Sequence, residues 1–302
     1  MAVYKRGYKP YTGASTSAIQ RILVIPRYAF ETLFDSRMLM SYFVLCFMPF
    51  LVCAAIIYLF NNPLAQTLIG MKGDATNFPF RIDGKFFFGL MNVQGSMAFL
   101  LTAWVGPTLI APDLTNNALP LFLSRPFTKT EYVIGKISVL FILISGFTWL
   151  PDTLLYFLQG SLAGNGWLTS NARILYGIYG GSLVWMSILS LLALAISAWV
   201  KWRIVASGLL VGVFFVTAGF GLAVNAVLRT FWGNMFNISY LISLVTHDMF
   251  DIPMVRNMSR GRMALEVAEE IPTGYAWLGL FAVCAISVMI LNKRLRAREV
   301  VR

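Results

Sequence analysis

The stretch Ile174–Val200 reads ILYGIYGGSLVWMSILSLLALAISAWV and carries no charged residue over 27 consecutive positions. An α-helix rises 1.5 Å per residue, so about 20 apolar residues cross a bilayer core that is about 30 Å thick. A charge-free block of this length predicts a membrane-spanning helix. The fold then follows from how often such blocks recur along the chain.

Five further blocks lack charged residues: Met38–Phe60, Phe86–Pro112, Ile137–Pro151, Ile204–Leu228 and Ile271–Asn292. The third of these is short, and its helix is expected to continue past Asp152 to about Leu158. We therefore predict an all-α integral membrane protein with six spans, here called spans 1 to 6. They are expected near residues 38–60, 87–111, 134–158, 174–199, 205–228 and 273–292.

Bulk composition agrees with a membrane protein. Hydrophobic residues make up 58% of the 302 and charged residues 12%, about half the charged share of soluble domains. A water-soluble core could not bury that much apolar surface. The net charge of +11 is attributed to membrane topology, and no basic stripe interleaved with aromatic residues indicates binding to nucleic acid.

The distribution of Lys and Arg predicts a multi-pass protein of the plasma (inner) membrane with both termini in the cytoplasm. With the N-terminus inside, 16 of the 24 basic residues fall on the cytoplasmic side, as the positive-inside rule requires. They lie in residues 1–37, in the loops after spans 2 and 4, and in the tail 293–302. Several of the remaining basic residues lie in one long outer loop, where the rule carries least weight.

The uncharged segment Thr230–Thr246 is interpreted as an outer re-entrant or interfacial helix between spans 5 and 6. It is 17 residues long and contains Gly233, Asn234 and Asn237, which makes it short and polar for a span. A seventh span would also place the basic tail outside the cell, against the positive-inside rule.

Residues 1–37 are predicted to be a cytoplasmic segment with an amphipathic "elbow" helix lying on membrane lipid. Ser17 and Gln20 have the spacing of a capping box, and apolar residues then recur at helical intervals opposite charged ones, as in interfacial helices. Pro26 is expected to kink this helix. A soluble helix packed on a partner protein is the alternative.

Side chains suited to enzyme chemistry are scarce in the sequence. His247, Asp248 and Asp251 could bind a metal, but adjacent residues project to different sides of a helix and no second cluster completes the ligand shell. We therefore interpret this stretch as a solvated outer loop and predict no metal site. No P-loop pattern occurs, so we expect no ATP hydrolysis, no catalytic residues and no cofactor in this chain itself.

Asp152 is the acid that lies well inside an apolar block. Carboxylates within membrane spans often mark substrate or proton paths, and Asp152 is a candidate for the substrate path. It could equally bond backbone groups that Pro151 frees, or reach the outer interface.

The loop between spans 2 and 3 reads APDLTNNALPLFLSRPFTKTEYVIGK from Ala111 to Lys136. Asp113 is predicted to cap a short amphipathic helix that Pro126 ends. The apolar positions of this helix would be Leu114, Ala118, Leu121 and Phe122. Thr128 and Glu131 have the spacing of a second capping box, which begins span 3. An apolar helix face with no partner in the chain suggests a docking surface; a helix folded back on the membrane is the alternative.

This loop resembles the cytoplasmic loop of type-2 ABC transporter permeases, the transmembrane subunits of ABC exporters. The resemblance rests on eight positions of the loop: Asp113, Leu123, Ser124, Arg125, Pro126, Tyr132, Gly135 and Lys136. The elbow helix, the six spans and the long outer segment before span 6 fit the same family. The resemblance covers roughly residues 17–295.

The resemblance implies a permease that works with a second permease copy, identical or different, and with soluble ATPase subunits that hold ATP and magnesium. The coupling loop would then consist of Asp113, Leu114, Ala118, Leu121, Phe122, Leu123, Ser124, Arg125 and Pro126. The glycine-rich spans 4 and 5 would pack the two permeases together, and export would be the direction of transport.

Two other classes of function remain open from the sequence. One is a membrane anchor that recruits an ATPase to an envelope complex without transporting anything. The other is a membrane-embedded enzyme that uses Asp152, His247 or Asp251. Neither the substrate nor the role of residues 229–273 is indicated by any motif.

Overall fold

The computed structural model describes residues 17–62, 81–116, 118, 128–164, 166–200, 202–252 and 271–295. Within these ranges the chain is helical and contains no strand. The helices are α1 (Ala18–Phe34), α2 (Arg37–Leu45), α3 (Met48–Asn61), α4 (Gly84–Thr115), α5 (Lys129–Phe147), α6 (Trp149–Ala163), α7 (Trp167–Ser170), α8 (Ala172–Trp199), α9 (Arg203–Leu228), α10 (Ile238–Met249) and α11 (Thr273–Arg294). A 3-10 helix covers Trp232–Phe236.

Six helical stretches of the described residues are long and apolar enough to cross a membrane, as predicted. They are Arg37–Asn61, Gly84–Thr115, Lys129–Ala163, Ala172–Trp199, Arg203–Leu228 and Thr273–Arg294. Each contains the corresponding predicted span and exceeds it by at most five residues at either end. The largest differences are at the two ends of span 3.

Spans 1 and 3 are each built from two helices that meet at a break before a proline. Pro49 is the second residue of α3, and Pro151 is the third residue of α6. A proline ring clashes with the carbonyl four residues earlier. In both spans that carbonyl belongs to the residue that ends the preceding helix, Leu45 in span 1 and Phe147 in span 3.

Span 2 remains one helix although it contains Pro107 and Pro112. The buried Ser197 hydroxyl of span 4 accepts a hydrogen bond from Ala111 N at 2.9 Å and donates one to Pro107 O at 3.2 Å. A side chain thus bridges the backbone at the prolines, which is how proline is tolerated in membrane helices. This bridge also fixes the C-terminal half of span 2 against span 4.

Span 4 is the central helix of the bundle. It packs against spans 2, 5 and 6, against both halves of span 3 and against α10. In its most apolar 18-residue window 72% of residues are buried within the chain, against 11% in span 1 and 22% in spans 5 and 6. Spans 1, 5 and 6 therefore present most of their surface outward.

Helix α1 begins at the predicted capping box. The Ser17 side chain accepts from Gln20 N, and the Gln20 side chain accepts from Ser17 N. The helix continues through Pro26 to Phe34 and packs against α5. The N-terminal residues 1–16 and the tail from residue 296 onward lie outside the described residues.

The segment between spans 5 and 6 is helical on both sides of Asn237. The 3-10 helix comes first, and α10 follows with Asn237 as its cap. Asn225 of span 5 accepts from Gly233 N at 2.7 Å and donates to Asn234 Oδ1 at 2.8 Å, which ties the 3-10 helix to span 5. The apolar side of α10, including Leu241 and Ile242, is buried against spans 4 and 6.

Candidate functional site

Three residues of the stretch Ala111–Lys136 lie in contact where span 2 ends and span 3 begins. Tyr132 and Lys136 are four residues apart on α5 and therefore share a face of the helix. The Tyr132 hydroxyl donates to Asp113 Oδ2 at 2.6 Å, and Lys136 Nζ lies 2.8 Å from the same oxygen. This group, called the junction cluster below, joins the last turn of α4 to the first two turns of α5.

The junction cluster is shielded from solvent. The Lys136 and Asp113 side chains are 12% and 20% exposed, and Tyr132 is fully buried. Lys136 Nζ also lies 5.5 Å from the centroid of the Tyr132 ring. An ion pair held this far from water is screened less by salt than a surface pair.

Gly135, on the same turns of α5, lets α1 approach closely. A Cβ placed on Gly135 would lie 2.7 Å from Ile25 Cδ1 and 3.3 Å from Ile22 O. Only a glycine leaves room for this contact without a shift of α1. The elbow-like helix and the junction cluster thus belong to one packed unit.

The start of span 3 also reaches the end of span 6. Lys129 Nζ lies 3.3 Å from both the backbone oxygen and the side-chain oxygen of Asn292. Glu131 accepts from Thr128 N at 2.7 Å, and Thr128 Oγ1 accepts from Glu131 N. The capping box predicted at Thr128 and Glu131 is therefore confirmed.

The predicted role of Asp113 as a helix cap is wrong. Asp113 lies in the last turns of α4, because span 2 continues through Pro112 to Thr115. Leu114 follows in the same helix and packs partly against the core, and Ala118 N donates to Asp113 O at 2.8 Å. The other residues predicted for the coupling loop lie outside the described residues: Leu121, Phe122, Leu123, Ser124, Arg125 and Pro126.

A cavity of about 630 Å³ lies between α1 and the C-terminal half of span 2. Its wall is mainly apolar, with Tyr28, Leu33 and Trp104 among the lining residues. Lys136 of the junction cluster and Arg203 at the start of span 5 also line it. The cavity borders the junction cluster at Lys136. Asp152 is not among the residues that line it.

Asp152 is buried in the bundle, in the first turn of α6. Its Oδ1 accepts a hydrogen bond from Gln94 Nε2 of span 2 at 2.8 Å. It therefore neither bonds the break at Thr148 through its side chain nor reaches the outer interface. Gln94 was missed from the sequence, although a glutamine inside a charge-free span is a signal that could have drawn attention to it.

The His247 stretch is only in part the solvated loop that was expected, because Asp248 and Asp251 are exposed whereas His247 is half-buried. His247 and Asp248 belong to the last turn of α10. The imidazole packs 4.1 Å from the Phe88 ring, between centroids, and its Nδ1 lies 3.3 Å from Ile252 O. Burial lowers the pKa of His247 below its ordinary value, and the hydrogen bond with Ile252 opposes this. The described residues contain no group of three or more potential metal ligands.

The glycines of spans 4 and 5 are used differently. A Cβ at Gly177, Gly180 or Gly181 of span 4 would lie 2.7–2.8 Å from Phe250, Met249 or Met91, so these glycines serve packing within the chain. Positions 208, 212 and 219 of span 5 have nothing within 4 Å of a Cβ. Of the two spans expected to pack permease copies together, span 5 leaves these three glycines open, whereas a Cβ at its Gly221 would lie 2.6 Å from Gly233 O.

Comparison of the chain with models of protein families and with curated proteins finds no match.

Proposed function

We propose that this chain is the transmembrane permease subunit of an ATP-driven ABC transporter that exports its substrate. The observation that carries the proposal is the junction cluster. Asp113, Tyr132 and Lys136 belong to the stretch that resembles the coupling loop of type-2 permeases, and they lie in direct contact. The packing of Gly135 against α1 supports the same assignment.

The junction cluster could transmit force from the coupling loop to the membrane-spanning helices. Residues 116–128 connect the two helix ends that this cluster joins. A force on this segment would therefore act on both span 2 and span 3. The shielded ion pair and the tyrosine hydrogen bond hold these two helix ends in a defined geometry. Through Gly135 the same force reaches α1, and through Lys129 it reaches the end of span 6.

The proposed arrangement needs a second permease copy and soluble ATPase subunits that bind ATP and magnesium. Span 5 supplies a face for the second copy, since a Cβ at Gly208, Gly212 or Gly219 meets nothing within the chain. Phe215 and Leu222 of the same span are exposed. The outer segment, with the 3-10 helix and α10 packed over spans 4 to 6, would lie at the outer mouth of the substrate path. Asp152 would lie beside that path.

The proposed orientation places both termini in the cytoplasm of a cell bounded by the plasma (inner) membrane. Single cysteines in place of Thr12 and Arg298, in a chain without Cys46, Cys53 and Cys284, should resist a membrane-impermeant thiol reagent in intact cells. Both should react after the membrane is permeabilised. Labelling of either position in intact cells would contradict the proposed topology.

The function is tested by co-expression with soluble ABC ATPases of the same genome. The purified chain alone should hydrolyse no ATP, and the complex in lipid nanodiscs should do so. Leu121→Asp and Phe122→Asp should weaken the association, because a carboxylate buried in a docking groove loses its hydration unpaired. Ser170→Asp, in the short helix α7 between spans 3 and 4 at the other end of the bundle, is the matched control and should leave the complex intact.

Failure of every ATPase to co-purify, or equal association of the two loop variants and the control, would refute the coupling role. A complex that hydrolyses ATP but moves no compound in vesicles, when assayed against lipids, peptides and small solutes, would indicate the anchor function instead. Turnover of a membrane substrate by the chain without any ATPase would indicate an enzyme.

A further inference from the structure

Asp152 and Gln94 form an isolated polar pair in the interior of the bundle. Both side chains are fully buried, and the distance from Gln94 Nε2 to Asp152 Oδ1 is 2.8 Å. The two residues are 58 positions apart, on α6 and α4. Their surroundings are apolar, with Leu90, Met91 and Leu155 among the buried neighbours in sequence.

No cation neutralises Asp152 in the part of the chain that the structure describes. The ion pairs found there are Arg27 with Glu31 and Lys136 with Asp113. A carboxylate that is buried without a counter-charge carries a large desolvation cost, and a larger one within a membrane core. One amide hydrogen bond does not offset such a cost.

The titratable groups on the helices around Asp152 do not change this balance. Cys53 of α3 is close enough to interact with it electrostatically, and Tyr156 on α6 donates its hydroxyl to Leu168 O. On α8, Tyr179 lies with its hydroxyl 3.3 Å from Thr153 Oγ1, and Arg173 donates to Asp248 O. The charged residues of α4 and α5 lie at the ends of those helices, at Lys85, Asp113, Lys129, Glu131 and Lys136.

Two atoms of the pair lack a hydrogen-bond partner, namely Asp152 Oδ2 and Gln94 Oε1. Both are acceptors if the carboxyl is ionised, and neither can then serve the other. If the carboxyl carries a proton, Oδ2–H becomes a donor. The unpaired acceptor Gln94 Oε1 belongs to the same amide group whose Nε2 donates to Asp152 Oδ1. One proton thus provides the missing partner for both atoms and completes a cyclic acid–amide pair.

We propose that Asp152 is a proton-binding site, held with Gln94 as a neutral acid–amide pair at neutral pH in this conformation of the bundle. The ligand is one proton, bound at Asp152 Oδ2. A conformation that wets the pair lets the carboxyl ionise and releases that proton to water. The inference concerns this chain alone and does not depend on an ATPase partner.

The test is infrared spectroscopy of the purified chain in lipid nanodiscs. At neutral pH we expect a carbonyl stretching band of a protonated carboxyl group, which should be lost in Asp152→Asn. Asp35→Asn makes the same chemical change at an exposed acid and should leave the band in place. In wild-type protein with ¹³C-labelled aspartate the band should shift, which assigns it to an aspartate independently of how well the variant folds.

The thermal midpoint of Asp152→Asn provides a second test. Asparagine can form both hydrogen bonds with Gln94, so Asp152→Asn should keep the thermal midpoint of the wild type. Gln94→Leu removes both bonds, and it should shift the carbonyl band to the frequency of a free carboxylic acid. Absence of a protonated aspartate band at neutral pH would overturn the proposal. Stabilisation of the wild type but not of Asp152→Asn by sodium or potassium ions, relative to choline, would also overturn it, since a metal cation would then neutralise the site.

Discussion

Lys136 Nζ lies 2.8 Å from Asp113 Oδ2, and this ion pair joins the end of span 2 to the beginning of span 3. The pair contrasts with Arg27 and Glu31 on α1, whose side chains are 80% and 61% exposed and 3.8 Å apart. The two pairs have similar chemistry and opposite surroundings. They therefore form a natural comparison for the energetics of the junction cluster.

Breaking the junction cluster should destabilise the chain. Tyr132→Phe removes a hydrogen bond to a charged group and should cost about 1.5–3 kcal/mol. Asp113→Asn and Lys136→Met should show a coupling energy of about 0.5–3 kcal/mol in a double-mutant cycle, measured by denaturant unfolding in mixed micelles. The exposed pair Arg27 and Glu31 should couple by less than about 1 kcal/mol. Equal coupling in both pairs would contradict the role given to burial.

Gly135→Ala should destabilise the contact between α1 and α5 by about 1–3 kcal/mol, because the added Cβ would overlap Ile25. Ile25→Ala removes the nearest atom, Cδ1, and should recover part of the loss. Gly146→Ala on the same helix is the matched control, since its Cβ would meet only Phe43 Cζ at 3.4 Å. A loss of stability at both glycines would show that helix α5 tolerates no alanine, whatever its neighbours.

Substitutions on the open face of span 5 should affect association between permease copies and leave the single chain folded. Gly208→Ile and Gly212→Ile add bulk where nothing lies within 4 Å of the Cβ, so they should lower the dimer fraction measured by light scattering in detergent. Gly89→Ile in span 2, where a Cβ also meets nothing within 4 Å, should leave the dimer fraction unchanged. Unchanged association of both span 5 variants would place the second copy on another face.

His247 should titrate below its ordinary pKa of about 6.5, because the imidazole is partly buried beside Phe88. The unfolded chain then binds the proton first as the pH falls. The stability from this group is therefore fully present above about pH 6.5 and declines as the pH falls towards the lowered value. The sequence contains one histidine, so NMR of ¹⁵N-histidine reports its pKa directly. Phe88→Ala should move that pKa back upward; a pKa at or above the ordinary value in the wild type would contradict the burial of the ring.

The number of spans could be predicted from the sequence because the bilayer imposes a length on every charge-free block. The capping boxes at Ser17 and Thr128 could be predicted because each is decided by residues three positions apart. The course of the chain after Ala111 could not. Span 2 was expected to end near residue 111, and the bridge that Ser197 makes to Pro107 and Ala111 comes from a residue more than 80 positions away.

A long separation in sequence, 58 positions, also hid the partner of Asp152. A lone acid in span 3 is visible in the sequence, but nothing local points to Gln94 in span 2. The junction cluster was half visible: Tyr132 and Lys136 share a helix face by their spacing, whereas the position of Asp113 depends on how far span 2 continues. Local rules therefore gave the helices, and contacts between helices had to come from the structure.

The break at Thr148 divides span 3 into two rigid rods joined by a single residue with φ −105° and ψ −108°. The first rod begins at the junction cluster, and the second carries Asp152 in its first turn. A tilt of the first rod can therefore be taken up at this hinge without an equal tilt of the second. Pro151 makes the hinge permanent, because it lacks the N–H needed to rejoin the helix. A movement that starts at the junction cluster would thus arrive at Asp152 as a change of angle between two rods.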